Sequence, residues 1–170
     1  MRRTSLTRCA TPLGEMLLAG EGSALVGAWF VGQRYYPAHL EPDAAGENTP
    51  PLCAARAWLE AYFAGTQGQE LPPQPPLAPV GTPFQQAVWQ LLRHIPYGDT
   101  TTYGTLAQQL RQSGIRASAQ AVGGAVGRNP LSLFIPCHRV LATSGTLAGY
   151  AGGLSRKAAL LALETPGLFT

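Results

Sequence analysis

Cys137 and His138 stand side by side in the segment LSLFIPCHRV, residues 131–140. A thiol attacks as its thiolate, so a reactive cysteine needs a base or a cation close by. Histidine is the side chain whose ordinary pKa lies nearest neutrality. Neighbouring side chains diverge, so His138 need not touch the sulfur, and a water can relay the proton. A cysteine in an apolar run is more often an inert packing residue. Here Pro136 interrupts the run and turns the chain at the thiol, and a titratable residue follows. A histidine base needs a carboxylate to orient it. The C-terminal half offers two, Asp99 and Glu164, the latter closing a helix after Leu160 and Leu161.

Other residues that can do chemistry cluster in the same half. The stretch 117–126, ASAQAVGGAV, is a helix of small residues. Small residues allow close packing, or equally a close approach to a nucleic-acid groove. Gly123 and Gly124 weaken the helix, which asks for such a reason. Arg128, in the Gly127–Pro130 turn, can meet a phosphate, and Asn129 can satisfy the turn or brace a site loop. Tyr103 opens a helix, where free N–H groups suit an anion, or is an ordinary half-buried aromatic. Gly145 and Gly149–Gly153 form a loop able to come close to a ligand.

Around these residues the chain divides. Residues 3–9, 15–20 and 24–31 read as strands, with turns at Pro12–Gly14 and Glu21–Ser23. Pro50 and Pro51 suit a helix start, and Leu52, Ala55, Leu59, Tyr62 and Phe63 then share one face up to Gly65. The proline-rich run in residues 68–80 reads as a stiff connector. Beyond it, Thr82 and Pro83 open a helix, Thr101 or Thr102 a second, Ala117 a third and Ser155 a last. The paired short helices resemble a helix-turn-helix. The expected class is α+β: an N-terminal sheet and helix domain (1–67), a connector (68–80) and a mostly helical C-terminal domain (81–170).

Composition narrows the partners. Of 170 residues 45% are hydrophobic and 12% charged, so the chain can bury a core. Net charge is +3, but unevenly spread: residues 1–83 carry five Arg against seven acids, and 84–170 carry seven basic residues against two acids. The basic half holds the Cys-His pair, which points to a polyanion there. Cys9, Cys53 and Cys137 lie far apart with no metal-ligand spacing, so no metal is expected. An odd cysteine count and the lack of an apolar h-region after Arg2 and Arg3 predict a reducing, cytoplasmic location. No run of about 18 apolar residues occurs, so no membrane span is expected.

The C-terminal half resembles the O6-alkylguanine-DNA alkyltransferases, also called methylated-DNA–protein-cysteine methyltransferases. The resemblance lies in GTPFQQAVWQLL (81–92), IPYGDTTTYGTLA (95–107), AVGGAVGRNP (121–130), IPCHRV (135–140) and GYAGGLSRKAALLALE (149–164). The N-terminal half matches loosely, through the Thr11–Gly14 turn and the layout of strands and helix. The resemblance implies a winged helix-turn-helix that binds duplex DNA through the minor groove and flips out an alkylated guanine. It implies that Cys137 accepts a methyl or small alkyl group from O6 of guanine, less readily from O4 of thymine. His138 then takes the thiol proton through water, Glu164 orients His138, and Asn129 braces the site. Tyr103 helps rotate the target phosphate and donates to the departing base, while backbone groups of Cys137, Val140 and Ala151 read the guanine edge. Tyr150 lines the pocket, and Gly123, Gly124 and Arg128 lie toward DNA. In-line displacement by sulfur leaves a stable thioether, so each chain is expected to act once, as a monomer, without a cofactor.

This sequence departs from the family at three points, one of them Ala151, where a small polar residue is common and whose backbone N–H remains. Where the family places an arginine to fill the gap left by the flipped base, the matching residue is Gln120, uncharged and a poorer stacker. Residues 111–119 are longer than usual, so Arg116 can approach the duplex instead. Two rivals follow from the residues: a lesion-binding protein without transfer, and a Cys-His peptidase or acyl hydrolase. The first typically lacks the acceptor cysteine, present here, and the second needs turnover.

Overall fold

The architecture comes from a computed structural model, in which residues 3–42, 46–65 and 71–166 are described. Residues 43–45 of the expected loop, 68–70 of the connector, and the ends of the two expected domains at 1–2, 66–67 and 167–170 lie outside them. Two compact units are present, residues 1–80 with 130–134, and residues 81–129 with 135–170.

In the first unit, β1 (Thr4–Thr11), β2 (Gly14–Glu21) and β3 (Ala24–Phe30) form an antiparallel sheet in the order β1-β2-β3, with an irregularity at Ala19/Gly20. Helix α1 (Pro50–Phe63) buries Leu52, Ala55, Trp58, Leu59 and Tyr62. These are apolar residues at helical spacing, so one face can pack on the sheet. The connector does more than link. The Leu25 N–H donates to the Pro76 carbonyl (2.8 Å) and the Ala78 N–H to the Leu25 carbonyl (2.9 Å), so residues 76–78 run along the edge of β3. Prolines fit there because an edge position leaves one side of the backbone unpaired.

Residues 130–134 also join this unit, although the sequence expectation assigned all of 81–170 to the C-terminal domain. Ala28 N–H donates to the Pro130 carbonyl and Ser132 N–H to the Ala28 carbonyl, at 2.8 and 2.9 Å. Leu131, Leu133 and Phe134 are buried, and the Phe134 ring lies 4.7 Å from that of Trp58. The apolar run ahead of Cys137 is therefore core of the sheet unit. That is also why it is apolar: the run must bury itself whatever the cysteine does.

The second unit contains α2 (Pro83–Arg93), β4 (Thr101–Thr102), α3 (Tyr103–Gln112), α4 (Ala119–Gly127), β5 (Val140–Leu141) and α5 (Leu154–Glu164). Thr82 and Gln85 form a reciprocal capping box on α2, while Thr102 and Ser118 accept from the third residue of α3 and α4. Thr102 therefore ends a two-residue strand and caps a helix at once. That strand pairs in parallel with β5 immediately after the Cys-His segment. Strands this short carry no periodicity and are invisible in the sequence. The 113–118 link is held by Arg111 Nη1 donating to the Ala117 carbonyl at 2.8 Å, and α4 by Trp89 Nε1 donating to the Ala125 carbonyl at 2.9 Å. Among the described residues no helix is long and apolar enough to cross a membrane.

Candidate active site

Pro136 sets the geometry of the thiol. Its φ of −79° and ψ of 67° make an inverse γ-turn, with the Cys137 N–H donating to the Ile135 carbonyl at 2.8 Å. Asn129 Nδ2 donates to the same carbonyl at 2.8 Å, so one side chain from the end of α4 braces the turn. Cys137–Arg139 then form a single 3-10 turn, and the Val140 N–H donates back to the Cys137 carbonyl. Sharp local turns on both sides leave the cysteine little freedom.

Beneath this turn lies a buried ionic network. Glu164 Oε2 is 2.6 Å from His138 Nε2. Arg139 donates from Nε to Oε1 at 2.7 Å and from Nη2 to Oε2 at 3.1 Å, and from Nη1 to the Ile95 carbonyl at 2.7 Å. The Gly98 N–H also donates to Glu164 Oε1, at 3.2 Å. His138 is 0% exposed and Glu164 5%, so these bonds act where water screens little.

The electrostatics follow from burial and partners. Burial raises the Glu164 carboxyl, but hydrogen bonds from His138 and Arg139, with the Arg139 charge, outweigh it and hold the group well below the usual carboxylate range. Burial lowers His138, and the Arg139 and Lys157 charges add to that against the opposing pull of Glu164. The ring is thus neutral at rest, and Arg139 is the standing cation beside Glu164. A neutral ring facing a carboxylate through Nε2 must carry its proton there. Nδ1 is then the basic nitrogen, and it is buried with no hydrogen-bond partner among the described residues. Burial pushes the Cys137 thiol up, while a hydrogen bond from Asn129 and the charge of Lys157 pull it down.

The other residues singled out in the sequence fall in two groups. Tyr103 is half-buried, and its hydroxyl donates to the Ala148 carbonyl at 3.0 Å. Gly123 faces its ring, 3.9 Å from where a Cβ would stand, whereas Gly124 meets open space. Val140 is buried, and its carbonyl accepts from Lys157. Tyr150 and Ala151 are partly exposed in the loop before α5. Gln120, in the first turn of α4, Arg116, in the link before it, and Arg128, at its end, are all exposed.

Sequence reasoning missed Arg139 and Lys157. The signal for Lys157 is spacing, whereas Arg139, in the turn after Cys137, carries none. The buried stripe of α5 is Lys157, Leu160, Leu161 and Glu164, a core-facing helical pattern with a charge at each end. Among the described residues no group of His, Cys, Asp and Glu is placed to hold a metal.

The family model for the DNA-binding domain of 6-O-methylguanine DNA methyltransferase matches residues 83–166. A methylated-DNA–protein-cysteine methyltransferase of Mycobacterium leprae is 43% identical over 162 residues, covering 94% of this chain and 92% of that protein. The crystal structure of Mycobacterium tuberculosis O6-methylguanine methyltransferase superposes with a TM-score of 0.78 at 41% identity, covering 95% of this chain and 93% of the other. A second crystal structure, of Mycobacterium tuberculosis OGT in complex with DNA, gives a TM-score of 0.78 at 41% identity over 92% of this chain and 90% of that one.

Proposed function

The chain belongs to the methylated-DNA–protein-cysteine methyltransferase family, and we propose that Cys137 is the residue on which it takes up the alkyl group. The protein repairs O6-alkylguanine in DNA by moving the alkyl group to a cysteine of its own. The observation that carries the assignment to Cys137 is the buried Glu164–His138 pair with Nδ1 left as the base, one residue from a buried thiol.

The Cys137 proton passes to His138 Nδ1 through a water, and Glu164 offsets the imidazolium charge. Sulfur attacks the O-alkyl carbon in line, an S–C bond forms, and the C–O6 bond breaks with its electrons going to guanine. Tyr103 protonates the departing base from its hydroxyl, and the proton held on His138 Nδ1 restores the phenol through water. Asn129 keeps the Pro136 turn fixed while the thiolate forms. The thioether does not reverse, so one chain repairs one lesion. O4-alkylthymine is a poorer substrate of the same site.

Duplex DNA is the partner. The basic half of the chain, the exposed α3–α4 pair and the small residues of α4 suit a groove. Gln120 occupies the gap left by the extruded base, and Arg128 and Arg116 lie toward phosphate. Gln120→Arg is expected to speed repair of duplex DNA about threefold to tenfold through added charge and stacking. Reaction with free O6-benzylguanine stays unchanged. Single-turnover rates on both substrates check this, and an unchanged duplex rate assigns the role to Arg116.

Intact mass after incubation with a duplex carrying O6-methylguanine tests the reading. One added methyl group per chain, and no more at longer times, is the expected result. Tight binding to the lesion with no change in mass overturns it.

A further inference from the structure

Lys157 is 0% exposed, yet no carboxylate pairs with it among the described residues. Its position is doubly unfavourable. Burial costs an ammonium ion its hydration, and the first turn of α5 is where a helix dipole repels a cation. Three backbone carbonyls offset this. Nζ donates to Val140, to Ala148 at 3.1 Å and to Gly149 at 2.9 Å. The segment from β5 to Gly149 is thus tied at both ends to one atom. A fourth tether, from the Gly104 N–H to Thr143 Oγ1 at 3.2 Å, is exposed.

Ala148 has a second donor. The Tyr103 hydroxyl donates to the same carbonyl at 3.0 Å, and Nζ stands 5.9 Å from the centre of the Tyr103 ring. Gly149 lies at φ +69° with its Cα face turned to that hydroxyl, where a Cβ would be 3.4 Å away. A phenol has one proton to give. While Tyr103 donates to Ala148 it cannot donate to a guanine. Once it turns to the guanine, Ala148 must be held by something else.

We propose that Lys157 is a positioning residue that holds residues 140–149 in place while Tyr103 moves its hydrogen bond from Ala148 to the departing base. This rests on the reading of Tyr103 as donor given above. The ammonium suits the task because its three N–H groups match three carbonyls, so losing the tyrosine bond leaves Ala148 satisfied. Burial pulls the Lys157 ammonium down to about 8 against the charge of Cys137, so a thiolate there favours the charged, three-donor form.

The test is amide hydrogen exchange across residues 142–149 in the full, unalkylated chain, with no DNA present. Tyr103→Phe is expected to change exchange there less than twofold or so, because Lys157 still holds Ala148. Lys157→Met removes the donor shared by three carbonyls, leaving the buried Val140 carbonyl stranded and Ala148 held by Tyr103 alone, so exchange there is expected to rise about tenfold or more while α2 and α3 stay protected. Transfer from methylated duplex should fall about a hundredfold in the same variant, from the misplaced loop. Where Lys157→Met does not fold, Lys157→Gln keeps two donors, and the comparison is read on it. Loop exchange raised as far by Tyr103→Phe as by the Lys157 variants overturns the proposal, as does loop exchange unmoved by them. Because exchange is read without DNA, the clamp can fail while Cys137 still takes the methyl group, and the reverse.

Discussion

Cys137→Ser leaves the chain folded and able to bind DNA, with no alkyl group gained on any residue. The substitution changes one atom at a site 4% exposed, so packing is nearly conserved. Chemistry is not. A serine hydroxyl ionises far above a thiol, and His138, whose basicity burial already lowers, cannot take its proton. Oxygen is also a harder, poorer nucleophile toward a saturated carbon. Loss of transfer by at least about a thousandfold is expected. Intact mass after incubation with methylated duplex, alongside a gel-shift titration, checks both halves. Cys9 and Cys53 are internal controls: both are free thiols, and Cys53 is exposed. A methyl group that persists in the Cys137→Ser protein would show that one of them, or another residue, is the acceptor.

Glu164→Gln tests the network beneath the thiol and is the second large effect. The amide keeps the shape of the carboxylate but removes the charge that Arg139 and His138 face. It also turns an NH2 group toward donors at 2.6 to 3.1 Å. Breaking a buried ion pair by removing one partner costs about 3–5 kcal/mol. Transfer should slow about a hundredfold as well, since an imidazolium no longer has a counter-charge. The pH dependence has a fixed sign. The folded Glu164 carboxyl is held below its ordinary value of 4.5. Its stabilisation is therefore complete above about pH 4.5 and is lost as the medium becomes more acidic than that. His138 acts in the same direction. Its folded pKa lies below 6.5, so the stability it lends is present above that value and declines below it. Urea unfolding at about pH 7 and about pH 3 should show the gap between the two proteins narrowing on acidification. A gap that stays constant would mean that Glu164 is not the charged partner of the network.

Much of this molecule can be read in residue order because the signals are local. Thr82 with Pro83 and Thr102 mark helix starts through bonds to residues three positions on, whereas the helix expected from Ala117 starts at Ala119 behind its cap Ser118. Alternation and turns mark the sheet. Cys137, His138 and their proline are adjacent, so the idea of an activated thiol needs no fold, and the spacing of the motifs 81–164 is enough to expose the family resemblance. The remainder depends on groups far apart in the chain. Residues 130–134 look the same whether they bury against helices or, as they do, beside β3, because an apolar run carries no address. The buried charges were equally hidden. Lys157 and Arg139 are residue types that favour water, and only a partner brought from elsewhere makes their burial affordable.

The opening pair shows the division most clearly. The sequence by itself determined that a thiol and a base stand together after a rigid turn, in a half of the chain suited to a polyanion. The residues alone left Asp99 and Glu164 as possible orienters, the family resemblance implied Glu164, and neither said which ring nitrogen would face it. The tertiary structure decided each point by bringing Glu164 from 26 residues away to His138 Nε2. A proton has one place on a neutral ring, and a buried carboxylate fixes where that is. Nδ1 is left as the free ring nitrogen for that reason, and Lys157 and Tyr103 meet at Ala148 for a similar one: both depend on distance in space, which residue order does not contain.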